Sequence, residues 1–304
     1  MKPAAVHQKQ TEFLKQAMAL DRLSHAYLFA GEPEVGKEIV ADWLIEQIRQ
    51  QVNNSWDFQL WRIYPERSEA LPGQQGRGVI KVKQIEEMRH RTDLRLGKEG
   101  YQVVVIHQAQ LMNLQSQDLL LKVLEEPKNR TIFILLADYL EPIRDTVRSR
   151  CQVLYFTPLS HKQSINWLVK QGVNQERAGI IALLGQGRFG LMSRLKDDPK
   201  EVERRLDEWR QLKELQSQPM YQKFKFAEKA AQERTALSDL LNNWVIYWRA
   251  MLLMKSLGLR FDSGWSDEYN LSEIVTAIDK IEEVESIFRR VSLNRRLALE
   301  YILI

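Results

Sequence analysis

Gly31-Glu32-Pro33-Glu34-Val35-Gly36-Lys37-Glu38 is the stretch whose reading decides the fold of the first half of this chain. Its spacing is that of a phosphate-binding loop, in which two glycines bare backbone N–H groups and a lysine reaches the terminal phosphates. The apolar run Ala26-Tyr27-Leu28-Phe29-Ala30 leads in and a helix-like stretch leads out, so the loop joins a strand to a helix. The Ser or Thr that would hold Mg²⁺ is replaced by Glu38, and Glu32 and Glu34 add two more acids. At about 5 Å and an effective dielectric of about 20, each like-charge contact with a bound polyphosphate costs about 3 kcal/mol. Lys37 alone does not offset three such contacts. Gly31, Gly36 and Lys37 therefore mark a degenerate phosphate loop, in a nucleotide fold that has lost or nearly lost its nucleotide.

A second loss agrees with the first. The strand expected over 102–107 has the core Val103-Val104-Val105-Ile106 and should carry the acids that hold Mg²⁺ and activate water. It ends instead in His107-Gln108-Ala109-Gln110, without a carboxylate. A metal needs oxygen anions, and a general base needs something to orient. His107 could accept a proton, but it has no metal ligand beside it. No ATP hydrolysis and no bound cofactor are expected at this site.

Around these strands, the pattern predicts helices over 11–20, 37–50, 82–93 and 116–124. It predicts further strands over 60–64, 131–137 and 152–156, with a Gly-rich connection over 72–78. Buried apolar strands alternating with amphipathic helices make an α/β domain, a parallel sheet covered on both faces. After about residue 159 every segment reads as helical, one short unit over 161–190 and a longer one from about 200 to 304. The stretch 237–257 has apolar residues at helical spacing and is the candidate buried helix. Trp209, Trp244, Trp248 and Trp265 are expected in a helix-bundle core rather than as base-stacking platforms.

The chain has 304 residues, enough for about two domains, and its 44% hydrophobic and 28% charged content is that of a globular protein. No apolar run approaches the roughly 18 residues of a membrane span, and no apolar leader is visible at the start, so a cytoplasmic location is expected. Cys151 is the one cysteine, which excludes an internal disulfide and a multi-cysteine zinc site. With nothing nearby to activate it, Cys151 reads as a small buried side chain. Basic and acidic residues number 44 and 40, an even balance that argues against a free-standing DNA-binding protein with a dense basic stripe.

Arg144, Arg148 and Arg150 fall within seven residues at the edge of the first domain. A loop arginine is ordinarily a solvated surface residue. A planar, permanently charged guanidinium is also the group that stabilises charge on a neighbour's transferring phosphoryl group.

Four strings resemble bacterial clamp-loader AAA+ subunits: His25-Ala26-Tyr27-Leu28-Phe29-Ala30-Gly31; Leu120-Leu121-Lys122-Val123-Leu124-Glu125-Glu126-Pro127; Thr146-Val147-Arg148-Ser149-Arg150-Cys151; and Asn294-Arg295-Arg296-Leu297-Ala298-Leu299-Glu300. The likeness runs from Gln8 to Glu300. It implies an AAA+ domain over 1–159, a small helical lid over 160–199 and an all-α oligomerisation collar over 200–304. It implies a rigid, non-hydrolysing member of a hetero-pentamer with gamma/tau-type motor subunits and delta, which loads a ring-shaped sliding clamp onto primer-template DNA within a polymerase holoenzyme. Ser149 and Arg150 match the family's Ser-Arg-Cys motif, so Arg150 would be a trans-acting arginine finger. Gly185, Arg188 and Leu191 fall where motor subunits have a glycine, the sensor-2 arginine and a leucine; a helix-surface arginine is the plainer reading of Arg188. Relatives often carry a four-cysteine zinc site after the loop's helix, but residues 53–72 contain no cysteine, so no metal is expected. The sensor-1 position near Ala137-Asp138 lacks the usual Thr or Asn. The alternatives are a motor subunit that binds or weakly hydrolyses ATP, and a loop that binds nucleotide without turnover.

Overall fold

The structure, a computed structural model, describes residues 7–52, 58–67, 78–92, 100–127, 130–232, 237–258, 269–290 and 294–304. The chain divides into two compact units, Met1–Leu159 with Arg188–Gly190, and Ser160–Gly187 with Leu191–Ile304.

The first unit is built on a five-stranded sheet. In chain order its elements are α1 (Gln8–Ala19), β1 (Ala26–Ala30), α2 (Lys37–Gln51), β2 (Phe58–Ile63), β3 (Glu66–Arg67), β4 (Gly78–Val79), α3 (Val82–Thr92), β5 (Tyr101–Ile106), α4 (Leu114–Glu125), β6 (Arg130–Ala137), α5 (Asp145–Arg148) and β7 (Gln152–Tyr155). The strand order is β2-β5-β6-β1-β7 and every pairing in the sheet is parallel. The short β3 and β4 form a separate antiparallel pair.

Strand residues alternate between the two faces, as a period of two requires. Leu28, Val104, Ile106, Phe133 and Leu135 join Ile85 and Met88 of α3 and Leu120 and Leu124 of α4 in one core. Tyr27, Phe29, Val103, Val105, Ile132, Ile134 and Leu136 join Leu14 of α1 and Val40, Leu44 and Ile48 of α2 in the other. Because both faces are covered there, β1 is apolar along its whole length and β5 and β6 are apolar over Val103–Ile106 and Ile132–Ala137. The Gly-rich connection expected over 72–78 lies outside the described residues, apart from Gly78.

The second unit is helical: α6 (His161–Lys170), α7 (Gln175–Gly185), α8 (Phe189–Asp197, beginning at the unit boundary), α9 (Pro199–Ser217), α10 (Met220–Gln232), α11 (Leu237–Leu257), α12 (Leu271–Arg290) and α13 (Arg295–Leu303). No strand follows β7 among the described residues. Ser160, Asn174, Asp198 and Asn294 each accept a backbone N–H in the first turn of the helix that follows, which satisfies donors the helix cannot. Helix α11 touches α7, α9 and α12, and it buries Trp244, Ile246, Tyr247, Trp248, Met251 and Met254. Trp209 meets Tyr247 edge-on at 5.7 Å between ring centres. Trp209, Trp244 and Trp248 are thus core residues, and Trp265 lies outside the described residues. Among the described residues no helix is long and apolar enough to cross a membrane.

Candidate functional site

In an open α/β sheet, ligands bind beyond the carboxyl ends of the strands where the strand order reverses. Here β1 lies between β6 and β7, so this place is the loop Gly31–Gly36 that follows β1, flanked by the ends of β6 and β7. The loop keeps the backbone of a phosphate cradle. A Cβ at Gly31 would run into the carbonyl oxygen of Phe156, so only glycine fits. Gly36 takes φ 111°, a left-handed conformation suited to glycine, and leads into α2. Val35 is fully buried, and its carbonyl accepts from His7 Nε2 at 2.8 Å. His7 is itself buried, which lowers its pKa below the ordinary histidine value despite that bond.

The side chains are occupied internally. An ammonium group has three N–H donors. Those of Lys37 meet the carbonyl of Gly31, the carbonyl of Glu32 at 2.8 Å and Asp138 Oδ1 at 2.8 Å. Lys37 is 6% exposed and Asp138 18%, so the pair is largely shielded from water. Gln110 holds the aspartate from the other side: its Nε2 donates to Asp138 Oδ2 at 3.0 Å, and its Oε1 accepts the Asp138 backbone N–H at 3.2 Å. The lysine that would reach a polyphosphate is already neutralised by a carboxylate from the end of β6.

The metal position is filled in the same way. Glu38 Oε1 lies 3.2 Å from His107 Nδ1, and Arg62 Nη1 lies 3.4 Å from His107 Nε2. A carboxylate only accepts and a guanidinium only donates, so His107 carries its proton on Nδ1 and turns the Nε2 lone pair toward Arg62. The sequence left His107 open as a proton acceptor; with that lone pair facing Arg62, it has none to offer an attacking water. The bond from His107 holds the Glu38 carboxyl below the usual carboxylate range. Arg62 also pairs with Asp42 at 2.5 Å, one turn beyond Glu38 on α2, and Tyr64 stacks on His107 at 4.2 Å. A nucleotide with Mg²⁺ does not fit these residues: the lysine is neutralised, and a buried histidine faces Glu38 where oxygen ligands would be required.

Asp138 is the residue that sequence reasoning passed over. Its position reads only as a missing sensor-1 hydroxyl, and nothing local in the sequence signals a partner 101 positions away. Conversely, Glu32 and Glu34 are solvent-exposed, so water screens the repulsion expected of them. The main obstacle to an anion is Asp138.

The arginine segment lies at the edge of this unit. Arg144 pairs with Asp118, Arg148 with Asp145, and Arg150 Nη2 with Glu125 Oε1 at 2.6 Å. Arg150 Nη1 also donates to the Thr146 carbonyl at 3.0 Å, and Ser149 Oγ to the same carbonyl at 3.1 Å. Cys151 packs against the core, and burial pushes its thiol pKa up to about 12, which leaves it inert. Arg188 is half-buried and immediately precedes α8, so it is not a helix-surface residue. Gly185 ends α7, and Leu191 is buried in α8.

Residues 6–160 match the family described as DNA polymerase III, delta subunit. The chain belongs to that family. Its relatives include the DNA polymerase III subunit delta' of Bacillus subtilis, 28% identical over 179 residues, covering 56% of this chain and 54% of that one. The delta' subunit of Escherichia coli is 28% identical over 113 residues, 37% of this chain and 34% of that one. A replication factor C small subunit of Aeropyrum pernix is 29% identical over 176 residues, 57% of this chain and 50% of that one. The chain thus spans about half the length of the curated relatives it matches. A gamma subunit-related protein of Thermotoga maritima shares the fold, with a TM-score of 0.50 at 16% identity over 95% of this chain and 97% of that one.

Proposed function

We propose that this chain is the delta-prime subunit of a DNA polymerase III clamp loader, a rigid stator that does not hydrolyse ATP and presents Arg150 to the ATP of an adjacent motor subunit. The observation that carries this reading is the complete internal satisfaction of Lys37 beside an arginine cluster at the edge of the same unit. A chain whose nucleotide loop is closed by its own aspartate can still complete a neighbour's site, because an arginine finger needs only a rigid platform. In this reading residues 1–159 are the platform, 160–199 a helical lid, and 200–304 the collar that joins gamma/tau-type motors and delta in a hetero-pentamer. The assembly would act in the cytoplasm on the sliding clamp and primer-template DNA. Contacts with DNA phosphates would weaken steeply with salt. Arg188, at the sensor-2 position, has no phosphate to sense in its own loop.

The test is the ATPase rate of the reconstituted complex with clamp and primed DNA, for wild type and Arg150→Ala, alongside ATP binding by the isolated chain. The expected result is a silent isolated chain and a fall in complex turnover of about tenfold or more, equivalent to about 1.4 kcal/mol of transition-state stabilisation. Turnover by the isolated chain would favour the motor-subunit alternative. An unchanged rate with Arg150→Ala in an assembled complex would remove the arginine-finger role.

A further inference from the structure

Helix α4 carries two acids on the face that meets the arginine segment. Asp118 and Glu125 are two helical turns apart and point the same way. Asp118 takes Arg144 and Glu125 takes Arg150. Arg148, by contrast, is paired within its own short helix, with Asp145 three residues before it. Glu125 is the last residue of α4, where the helix dipole disfavours an anion. Its neighbour Glu126 is a second acid at the same end. The carboxylate is thus poorly suited to the helix that bears it and well suited to the arginine it faces.

The guanidinium of Arg150 is held from two elements at once. Nη1 donates to the Thr146 carbonyl, four residues back, and Nη2 meets Glu125 from α4. Two of its five N–H groups are used in this way, and the others have no partner among the described residues. Its side chain is 36% exposed, so the unused donors have access to the surface. An arginine that must meet a phosphoryl group in one orientation gains from being fixed beforehand, and a planar fork held at two nitrogens is fixed in both position and plane.

We propose that Glu125 is the positioning residue for Arg150, holding the guanidinium plane so that its free donors reach a neighbouring subunit's nucleotide. This rests on the arginine-finger role proposed above. Glu125 touches no reacting atom and acts only through Arg150. An exposed ion pair adds little to stability, so the residue can be changed without unfolding the chain.

The experiment is steady-state ATP hydrolysis by the assembled complex with clamp and primed DNA, for wild type, Glu125→Ala, Glu125→Gln, Arg150→Ala and the double variant Glu125→Ala/Arg150→Ala. Melting curves and assembly by size-exclusion chromatography are recorded for each. Glu125→Ala should lower kcat about fivefold to tenfold with the KM for ATP nearly unchanged. Glu125→Gln keeps an acceptor oxygen and should recover most of the rate. In the Arg150→Ala background, Glu125→Ala should have no further effect. If Arg150→Ala is impaired while Glu125→Ala turns over at the wild-type rate or faster, the positioning role falls and the arginine finger stands. A further loss on adding Glu125→Ala to Arg150→Ala would also overturn it, since Glu125 would then act by another route. If Arg150→Ala itself is normal, both proposals fall.

Discussion

Lys37 has three protons to give and three acceptors that already take them, so the loop's one lysine is fully engaged within the chain. A phosphate could enter only by displacing Asp138, which Gln110 anchors with two hydrogen bonds of its own. Removing the aspartate's charge should therefore do two things. Asp138→Asn leaves the shielded ammonium uncompensated, at a cost of about 2–3 kcal/mol, below the range for a fully buried pair because Asp138 keeps some contact with water. It also frees the lysine for another anion, so millimolar pyrophosphate should restore part of the lost stability in Asp138→Asn and none in wild type. Denaturant titration with and without pyrophosphate reads both effects. Wild-type stability in Asp138→Asn, unmoved by pyrophosphate, would mean that the ion pair does not hold the loop closed.

At the scale of elements, α7 and α8 pack closely where they join. Gly185 ends α7, and a Cβ there would run into Cγ of Met192, which is fully buried in α8. Gly185→Ala gains up to about 1 kcal/mol of helix propensity but overpacks this contact, which ordinarily costs about 1–3 kcal/mol. The net expectation is a lower urea midpoint with an unchanged slope; a raised midpoint would show that the two helices part freely. Elements of this kind were unevenly legible in the sequence. The strands β1, β5 and β6 stand out because both their faces are buried and they carry unbroken apolar runs, Ala26–Ala30, Val103–Ile106 and Ile132–Ala137, and each is recognisable to within about a residue of its ends. Helices α6 and α7 and the start of α8 read as one helical stretch over 161–190, because the breaks at Gly172 and Gly187 depend on left-handed backbone that a periodicity cannot see. Short elements such as α5 and the β3–β4 pair hold too few residues for any period to register. The degenerate loop was legible from its own spacing. Its closure was not, because Asp138 and Gln110 reach it only through the order of strands in the sheet.

Among the described residues the two units carry separate sets of buried side chains. The sheet unit is filled from both faces of β1, β5 and β6, mostly by aliphatic residues with Tyr27, Phe29 and Phe133 among them, and Leu44 of α2 is fully buried there. The helical unit is filled around α11 by aromatics, with Trp209 buried against Tyr247. Each unit thus has what an independent cooperative transition requires. Leu44→Ala should cost about 3 kcal/mol and Trp209→Ala about 4 kcal/mol, each in its own unit. Scanning calorimetry should then show one transition shifted by each variant, with hydrogen exchange assigning the loosened amides to the sheet unit or to the helices. A single transition lowered equally by both variants would mean that the units fold as one body. Separate transitions would show that the sheet unit, which carries Arg150, keeps its fold when the helical unit loosens.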